Sequence, residues 1–301
     1  MKTRKIIAIL AGIMLIAFGI GLLSLRYYGF DEGVFNNINW KFGFPLNKLV
    51  RTSNNNSNYI EKNIDEEKIE NAAGINTIDI DVSFSNINII PENRDDIRIH
   101  YHGYIKARLI PDLKTKCSNK TLYIYHEKGL SGSNSTETID VKLDIYIPET
   151  YKNNIKADTS FGSINISNLN LSKLKAITSF GDIEISDLTG NVEADTSYGN
   201  IVIQNLSGNL EASTSFGGIE LEYEEFDYNI NADTSFGNIE LTLPRDSQFK
   251  IDAECSFGRI DIDFPLTITK NEDDELSGTV GSGRNKIKLE SSSGDIKVIS
   301  K

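Results

Sequence analysis

A single phrase, alanine–x–threonine–serine–aromatic–glycine, recurs along this 301-residue chain and restricts what it can fold into. It begins at Ala157, Ala176, Ala194, Ala212, Ala232 and Ala253, with Cys255 replacing threonine in the last copy. The aromatic steps through Phe161, Phe180, Tyr198, Phe216, Phe236 and Phe257, at intervals of 19, 18, 18, 20 and 21 residues. Self-similarity at that period marks stacked units, each burying a face that its neighbour covers.

Within a repeat, small or apolar residues alternate up to the aromatic, as in Val192, Ala194, Thr196, Tyr198 and Ile230, Ala232, Thr234, Phe236. Period 2 is one face of a β-strand. The aromatic and the next inward aliphatic are three positions apart, so a corner must absorb a residue there. The glycine suits that backbone. Each repeat reads as strand, glycine corner, strand and a turn such as Asn205-Leu206-Ser207-Gly208-Asn209. The expected fold is all-β: a parallel β-solenoid, or β-helix, with two-strand coils of about 18–21 residues. Alternation puts the alanine, the threonine, the aromatic and the following aliphatics inward, as ladders ~4.8 Å apart. Buried threonines would find their hydrogen-bond partners in the next coil.

The pattern extends beyond the clear copies. Ile78, Ile80, Val82, Phe84, Ile87 and Ile89 repeat it with Ser85 in the glycine slot. Less regular strands are expected near Ile97–Tyr104, Thr121–His126 and Thr138–Ile147. A last coil runs from Ile287 to Val298, with Ser293 in the aromatic slot. As the final coil it would leave Ile296–Ile299 as an open edge. Its lysines (Lys286, Lys288, Lys297, Lys301) and the polar insertion Asn271–Arg284 would then protect that edge and keep the ectodomain monomeric.

Ahead of the repeats, residues 1–5 carry three basic side chains, and 6–25 carry no charge. Twenty apolar residues match a bilayer core, which is longer than the apolar region of a cleaved signal. The expectation is a cytoplasmic tail (1–5), an uncleaved transmembrane anchor (6–25), an aromatic collar and flexible tether (26–70) and an extracytoplasmic solenoid (71–301). Positive charge before the span places the N-terminus inside the cell. The formal net charge is −12 although residues 1–26 are purely basic, so the external part is strongly acidic. That argues against nucleic acid as a partner.

Chemistry is sparse. Outward acids (Asp158, Asp195, Asp233, Glu254) alternate with Ile177 and Ser213, which keeps like charges two coils apart except at the last pair. They do not converge as a glycosidase requires. Scattered carboxylates leave weak calcium binding open. His100 and His102 share a strand face, whereas His126 falls with Leu122 and Ile124. Two histidines alone make a poor metal site, so no metal, cofactor or catalytic residue is expected. Cys117 and Cys255 are too few for a disulfide framework, and Cys255 reads as a buried thiol.

The TSFG-x-I-x-I copies, the strand ending Ile147-Pro148 followed by Ala157-Asp158-Thr159-Ser160-Phe161-Gly162, and the single N-terminal span together resemble one family. That is the bacterial putative-adhesin family, a β-strand-repeat domain of unknown function that includes LiaG-like membrane-anchored envelope proteins. The resemblance covers about Ile75 to Lys301 and implies a surface-exposed, non-catalytic β-solenoid linked to envelope stress. The expected role is a non-enzymatic cell-envelope scaffold or binding module, with an envelope protein or cell-wall polymer as partner. A surface adhesin for glycan or protein is the alternative, and a polysaccharide-active β-helix enzyme comes third.

Overall fold

The computed structural model describes residues 59–127 and 136–301. The expected tail 1–5, anchor 6–25, collar and most of the tether lie outside the described residues. Every regular element among the described residues is a strand. β2 (Thr77–Phe84) and β3 (Asn86–Glu92) form the first coil, and β8 (Asn154–Phe161) with the start of β9 (Ile164–Phe180) forms the second. The stack continues through β10 (Ile183–Tyr198), β11 (Ile201–Ser207), β12 (Leu210–Phe216), β13 (Ile219–Glu222), β14 (Ile230–Phe236) and β15 (Ile239–Leu243). Register is residue-for-residue: Ala176 pairs with Ala157 and Ala194, and Ala212 with Ala194 and Ala232. The expected alanine, threonine and aliphatic ladders fill the core.

Three coils have a short third side that a two-strand coil lacks. Asn168, Asp187 and Asn205 adopt positive φ of 58°, 51° and 53° and turn the chain after the second strand. Asparagine and aspartate tolerate that region better than other side chains. The residues behind them, Leu169, Leu188 and Leu206, are buried and pair in register. Farther along the stack, Tyr223 is fully buried and meets Phe226 edge-on at 5.4 Å.

The glycine column reflects close approach more than turning. A Cβ on Gly199 would lie 1.9 Å from the Gly181 carbonyl oxygen, and one on Gly237 1.9 Å from that of Gly217. The same carbonyls accept the buried hydroxyls: Thr196 donates to Gly181, Thr214 to Gly199 and Thr234 to Gly217, each at 3.0 Å. Only a residue without a side chain lets the next coil descend onto that oxygen. Ser85 can replace glycine because no ladder pairs at its corner on the other side: the strands there, Thr121–His126 and Thr136–Pro148, pair only as far as Asp81 and only from Asn86 onward.

The aromatics depart from the inward expectation. Phe161, Phe180 and Phe216 are 46%, 45% and 39% exposed. The corner begins one residue earlier than alternation implies. Thr196 pairs with Thr214 and Tyr198 with Phe216, but Ser197 has no ladder partner, and the chain turns there with its ring outside.

Stack order is not chain order at the far end. β16 (Phe249–Cys255) and β17 (Ile260–Ile262) follow β15 in sequence, yet β20 (Asn285–Ser293) lies between β14 and β16. Likewise β21 (Ile296–Ser300) lies between β15 and β17. The expected open edge is therefore paired on both sides at Ile296–Val298 and on one side at Ile299. Interchangeable repeats permit this, and residues 244–248 carry the chain past the vacated level. Three of the lysines serve as charge partners rather than edge guards: Lys297 faces Glu240 and Asp261, Lys288 faces Asp252, and Lys301 meets Glu222 and Glu224, whereas Lys286 lies opposite Lys250. Opposite charges directly across strands stabilise the pairing. The insertion does act as a cover, but over a different strand. It folds as the hairpin β18 (Thr267–Glu272) and β19 (Glu275–Val280), with β19 antiparallel to β16.

Antiparallel strands also close the near end. β5 (Leu113–Ser118) pairs with β6 (Thr121–His126), which pairs with β2. β7 (Thr136–Pro148) lies on β3, β4 (Asp96–Ala107) on β7, and β1 (Ile60–Asn71) on β4. β1 falls where the tether was expected, so the folded domain begins near Ile60 rather than at 71. Ile64 and Ile75 are its buried anchors.

Candidate functional site

Inward threonines and glycines fix each corner, and the outward ring of each corner is thereby fixed in line with the next. Phe84, Phe161, Phe180, Tyr198, Phe216 and Phe236 form an external rib. Successive centroids are 4.8–5.0 Å apart with planes within 2–6°. Their faces are occupied by each other, so the rib offers ring edges to solvent. Edges of aromatic rings carry partial positive charge and suit oxygen-bearing partners. The rib ends where Ser293 pairs with Phe236, and Phe257, 60% exposed, stands in the coil beyond.

A second polar column sits just after the glycine corner. The Asn86 carboxamide oxygen accepts the Ser163 N–H at 2.9 Å, Asp182 Oδ1 accepts Asn200 N–H at 2.7 Å, and Asn200 accepts Gly218 N–H at 2.9 Å. These side chains satisfy corner amides, so they are committed to the fold rather than free for a ligand.

Outward acids recur on the first strand of most coils, but not at the expected spacing. Asp81 pairs with Asp158, which puts two like charges side by side. At the other end, Glu290 lies between Asp233 and Glu254, because the last coil is inserted there. Burial, then Glu193 and other neighbouring charges, holds the Asp195 carboxyl above its ordinary range; burial also raises that of Asp158, against the pull of Lys156. Lys173 and Lys175 both grip Glu193, whose carboxyl is correspondingly lowered. An open groove of about 690 Å³ lies over the start of this face, lined by Asp79, Asp81, Lys116, Tyr123, Tyr125 and Lys156.

His100 and His102 do share one face of β4, with rings stacked at 4.3 Å. His126 is on the inner side, as alternation implies: its Nδ1 accepts the Ser83 N–H at 3.2 Å, and its ring meets Tyr101 edge-on at 5.5 Å. Burial pushes its pKa down to about 4. Cys255 is buried and donates to the Gly294 carbonyl at 2.9 Å, filling the threonine role, while Cys117 is exposed; both are free thiols. What sequence reasoning missed is Asp144, which lies directly across from His100 on β7. Pairing between strands 44 residues apart leaves no local signal in the chain.

A family model described as Toastrack DUF4097 matches residues 75–197 and 153–299. A search of curated proteins finds no match. Among solved structures, a putative cell adhesion protein from Clostridium sporogenes ATCC 15579 is 17% identical and aligns over 80% of this chain and 100% of its own, at a TM-score of 0.38. A putative adhesin from Bacteroides fragilis NCTC 9343 is 17% identical over 78% of this chain and 97% of its own, at 0.42. A putative lipid binding protein from Parabacteroides distasonis ATCC 8503 is 17% identical over 80% and 97%, at 0.36.

Proposed function

The chain belongs to the Toastrack DUF4097 family, and from that premise we propose that it is a membrane-anchored, non-enzymatic β-solenoid that holds an extended envelope partner against its outer surface. The observation that carries this reading is the aromatic rib: an uninterrupted row of six rings, edges outward, on a backbone locked coil to coil. Rigid repeat faces suit extended ligands because little ordering entropy remains to be lost on binding. Spacing near 4.9 Å offers one ring edge per step of a polymer with a comparable repeat. The apolar span 6–25 would tether the chain to the cell membrane with the solenoid outside.

The test is sedimentation of the full-length chain, in detergent micelles, with insoluble cell wall. Wild type should co-sediment, and Phe180→Ser with Phe216→Ser should reduce the bound fraction several-fold. Capture by mucin or matrix protein instead of the wall would move the role to adhesion. Equal binding by wild type and the doubly substituted chain would remove the rib from the account. Protease treatment of intact cells should digest the solenoid while sparing residues 1–25; full protection would overturn the external placement.

A further inference from the structure

The outer face at the near end of the stack holds a cluster that the binding role above does not use. His100 and His102 stand two residues apart on β4, so both rings project to one side of the sheet. β1 and β7 flank β4, placing Glu67 and Asp144 opposite His100, and Asp65 and Lys142 opposite His102. His102 Nε2 lies 2.9 Å from Asp144 Oδ2, and His100 Nε2 lies 2.8 Å from Asp65 Oδ1. One ligand atom from each of His100, His102 and Asp144 lies within 4.8 Å of the other two.

From this arrangement we infer that His100, His102 and Asp144 bind a divalent transition metal of the zinc class, with Asp65 as the fourth ligand. Two imidazoles and a carboxylate are a donor set suited to zinc and unlike the all-oxygen sets of calcium or magnesium. Zinc takes nitrogen and oxygen ligands at about 2.0–2.2 Å, so tetrahedral ligand atoms sit roughly 3.4 Å apart. The cluster reaches that spacing by side-chain rotation of an ångström or so, with the three strands fixed by their ladders.

The surroundings are organised for the same end. Asp144 is the most enclosed of the four, its side chain 15% exposed. Its other oxygen, Oδ1, accepts Asn88 Nδ2 at 2.6 Å, and Asn88 Oδ1 accepts Asn165 Nδ2 at 2.9 Å. Such outer partners orient a ligating carboxylate. Asp65, 86% exposed and already against His100, swings onto the ion as the outermost and weakest of the four ligands. Lys142, opposite His102, is exposed and can direct its ammonium away.

Zinc chloride titrated calorimetrically into the full-length chain in detergent should show one ion per chain with micromolar affinity. His100→Gln, His102→Gln and Asp144→Asn should each weaken binding at least tenfold, and Asp65→Asn less. Cobalt(II) on wild type should give the intense visible bands of a four-coordinate site, absent from the His100→Gln/His102→Gln double variant. His100, His102 and Asp65 lie on the outer face, so metal-free unfolding midpoints of their variants should match wild type and loss of binding reports ligation; Asp144, more enclosed, is replaced by the isosteric Asn, which keeps an acceptor for Asn88. Asp195→Asn should leave the affinity unchanged. The inference is overturned if wild type takes up no zinc at millimolar concentration, or if the double variant binds as tightly as wild type.

Discussion

Ser291 donates its hydroxyl to the Gly237 carbonyl at 3.0 Å, across 54 residues of chain. Thr234 makes the same bond to Gly217 from 17 residues away, and Cys255 makes it to Gly294. The bond joins neighbouring levels of the stack, whichever segment occupies them. It is what lets the C-terminal segment slot between two earlier coils without disturbing the column. The donor column is therefore a structural device, and its members should be sensitive to losing the hydroxyl while their exposed neighbours are not. Thr196→Val keeps the shape and strands the Gly181 carbonyl, which should cost about 1–2 kcal/mol. Ser197→Ala, exposed at the same corner, should stay within ~0.5 kcal/mol. Denaturant titration of both variants checks this, and equal losses would mean the hydroxyl has no special role.

The glycine column makes a harsher prediction. Gly199→Ala would put a methyl carbon 1.9 Å from a backbone oxygen of the coil beneath, whereas a Cβ at Gly218 meets nothing nearer than 3.4 Å. Backbone cannot yield as a flexible side chain can, so Gly199→Ala should cost about 3 kcal/mol or more and Gly218→Ala far less. A small effect at Gly199 in thermal and denaturant unfolding would show that adjacent coils can separate locally.

How much of this was legible depended on distance along the chain. The inward alanines, threonines and aliphatics follow from period 2, and the structure buries them. Phe161 and its counterparts satisfy the same parity yet face outward, because Ser160 and its equivalents drop out of the ladder at the corner, which alternation cannot reveal. The level of β20 was hidden for a different reason: Ile287, Leu289 and Ser291 fit between any two coils, so similarity names the role and not the floor. A hint was present in Lys297, whose charge suits acidic neighbours on both sides, and in Lys288, which meets Asp252 on one side and the uncharged Asn231 on the other. The histidine cluster needed the register of β4 on β7, and only Asp144 turns two surface histidines into three converging ligands.

The outward placement of the rings changes the expected cost of removing one. Phe216→Ala removes a half-exposed ring stacked on Tyr198 and Phe236, and each stacked pair is worth ~0.5–1.5 kcal/mol. The loss should be about 1–2 kcal/mol. Phe249→Ala empties a fully buried site and should cost about 3–5 kcal/mol. If the two losses coincide in urea titrations, the rib is bearing core-like load.

His126 predicts acid sensitivity with a definite sign. Its pKa falls from an ordinary 6.5 to about 4 through burial, so the unfolded chain takes the proton first as pH drops. Stability is intact above pH 6.5, declines between 6.5 and 4, and loses on the order of 3 kcal/mol from this group. Asp158 and Asp195, with raised values, act oppositely as they protonate, so the comparison must be made against a variant. His126→Gln should begin less stable, having lost the Ser83 N–H contact to Nδ1, and should show a flatter profile over that interval. Parallel urea midpoints at pH 7.5, 5.5 and 4.0 would sink the assignment.

The far end of the stack carries the last prediction. β16 is covered by β19 through six antiparallel pairs from Phe249↔Val280 to Glu254↔Glu275, and without that cover its backbone groups would be a free sheet edge. An uncovered edge recruits strands from other molecules. The hairpin can be removed without starving the connection. Deleting Thr267–Val280 leaves residues 263–266 and 281–284 to join β17 to β20, and the shorter segment 244–248 already spans from β15 to β16 past an intervening coil. The deleted chain should keep its β-rich circular dichroism and self-associate with rising concentration in sedimentation velocity, while wild type stays monomeric. A deletion variant that remains monomeric at high concentration would show that the hairpin is not needed to block the β16 edge, and would free it for a binding role.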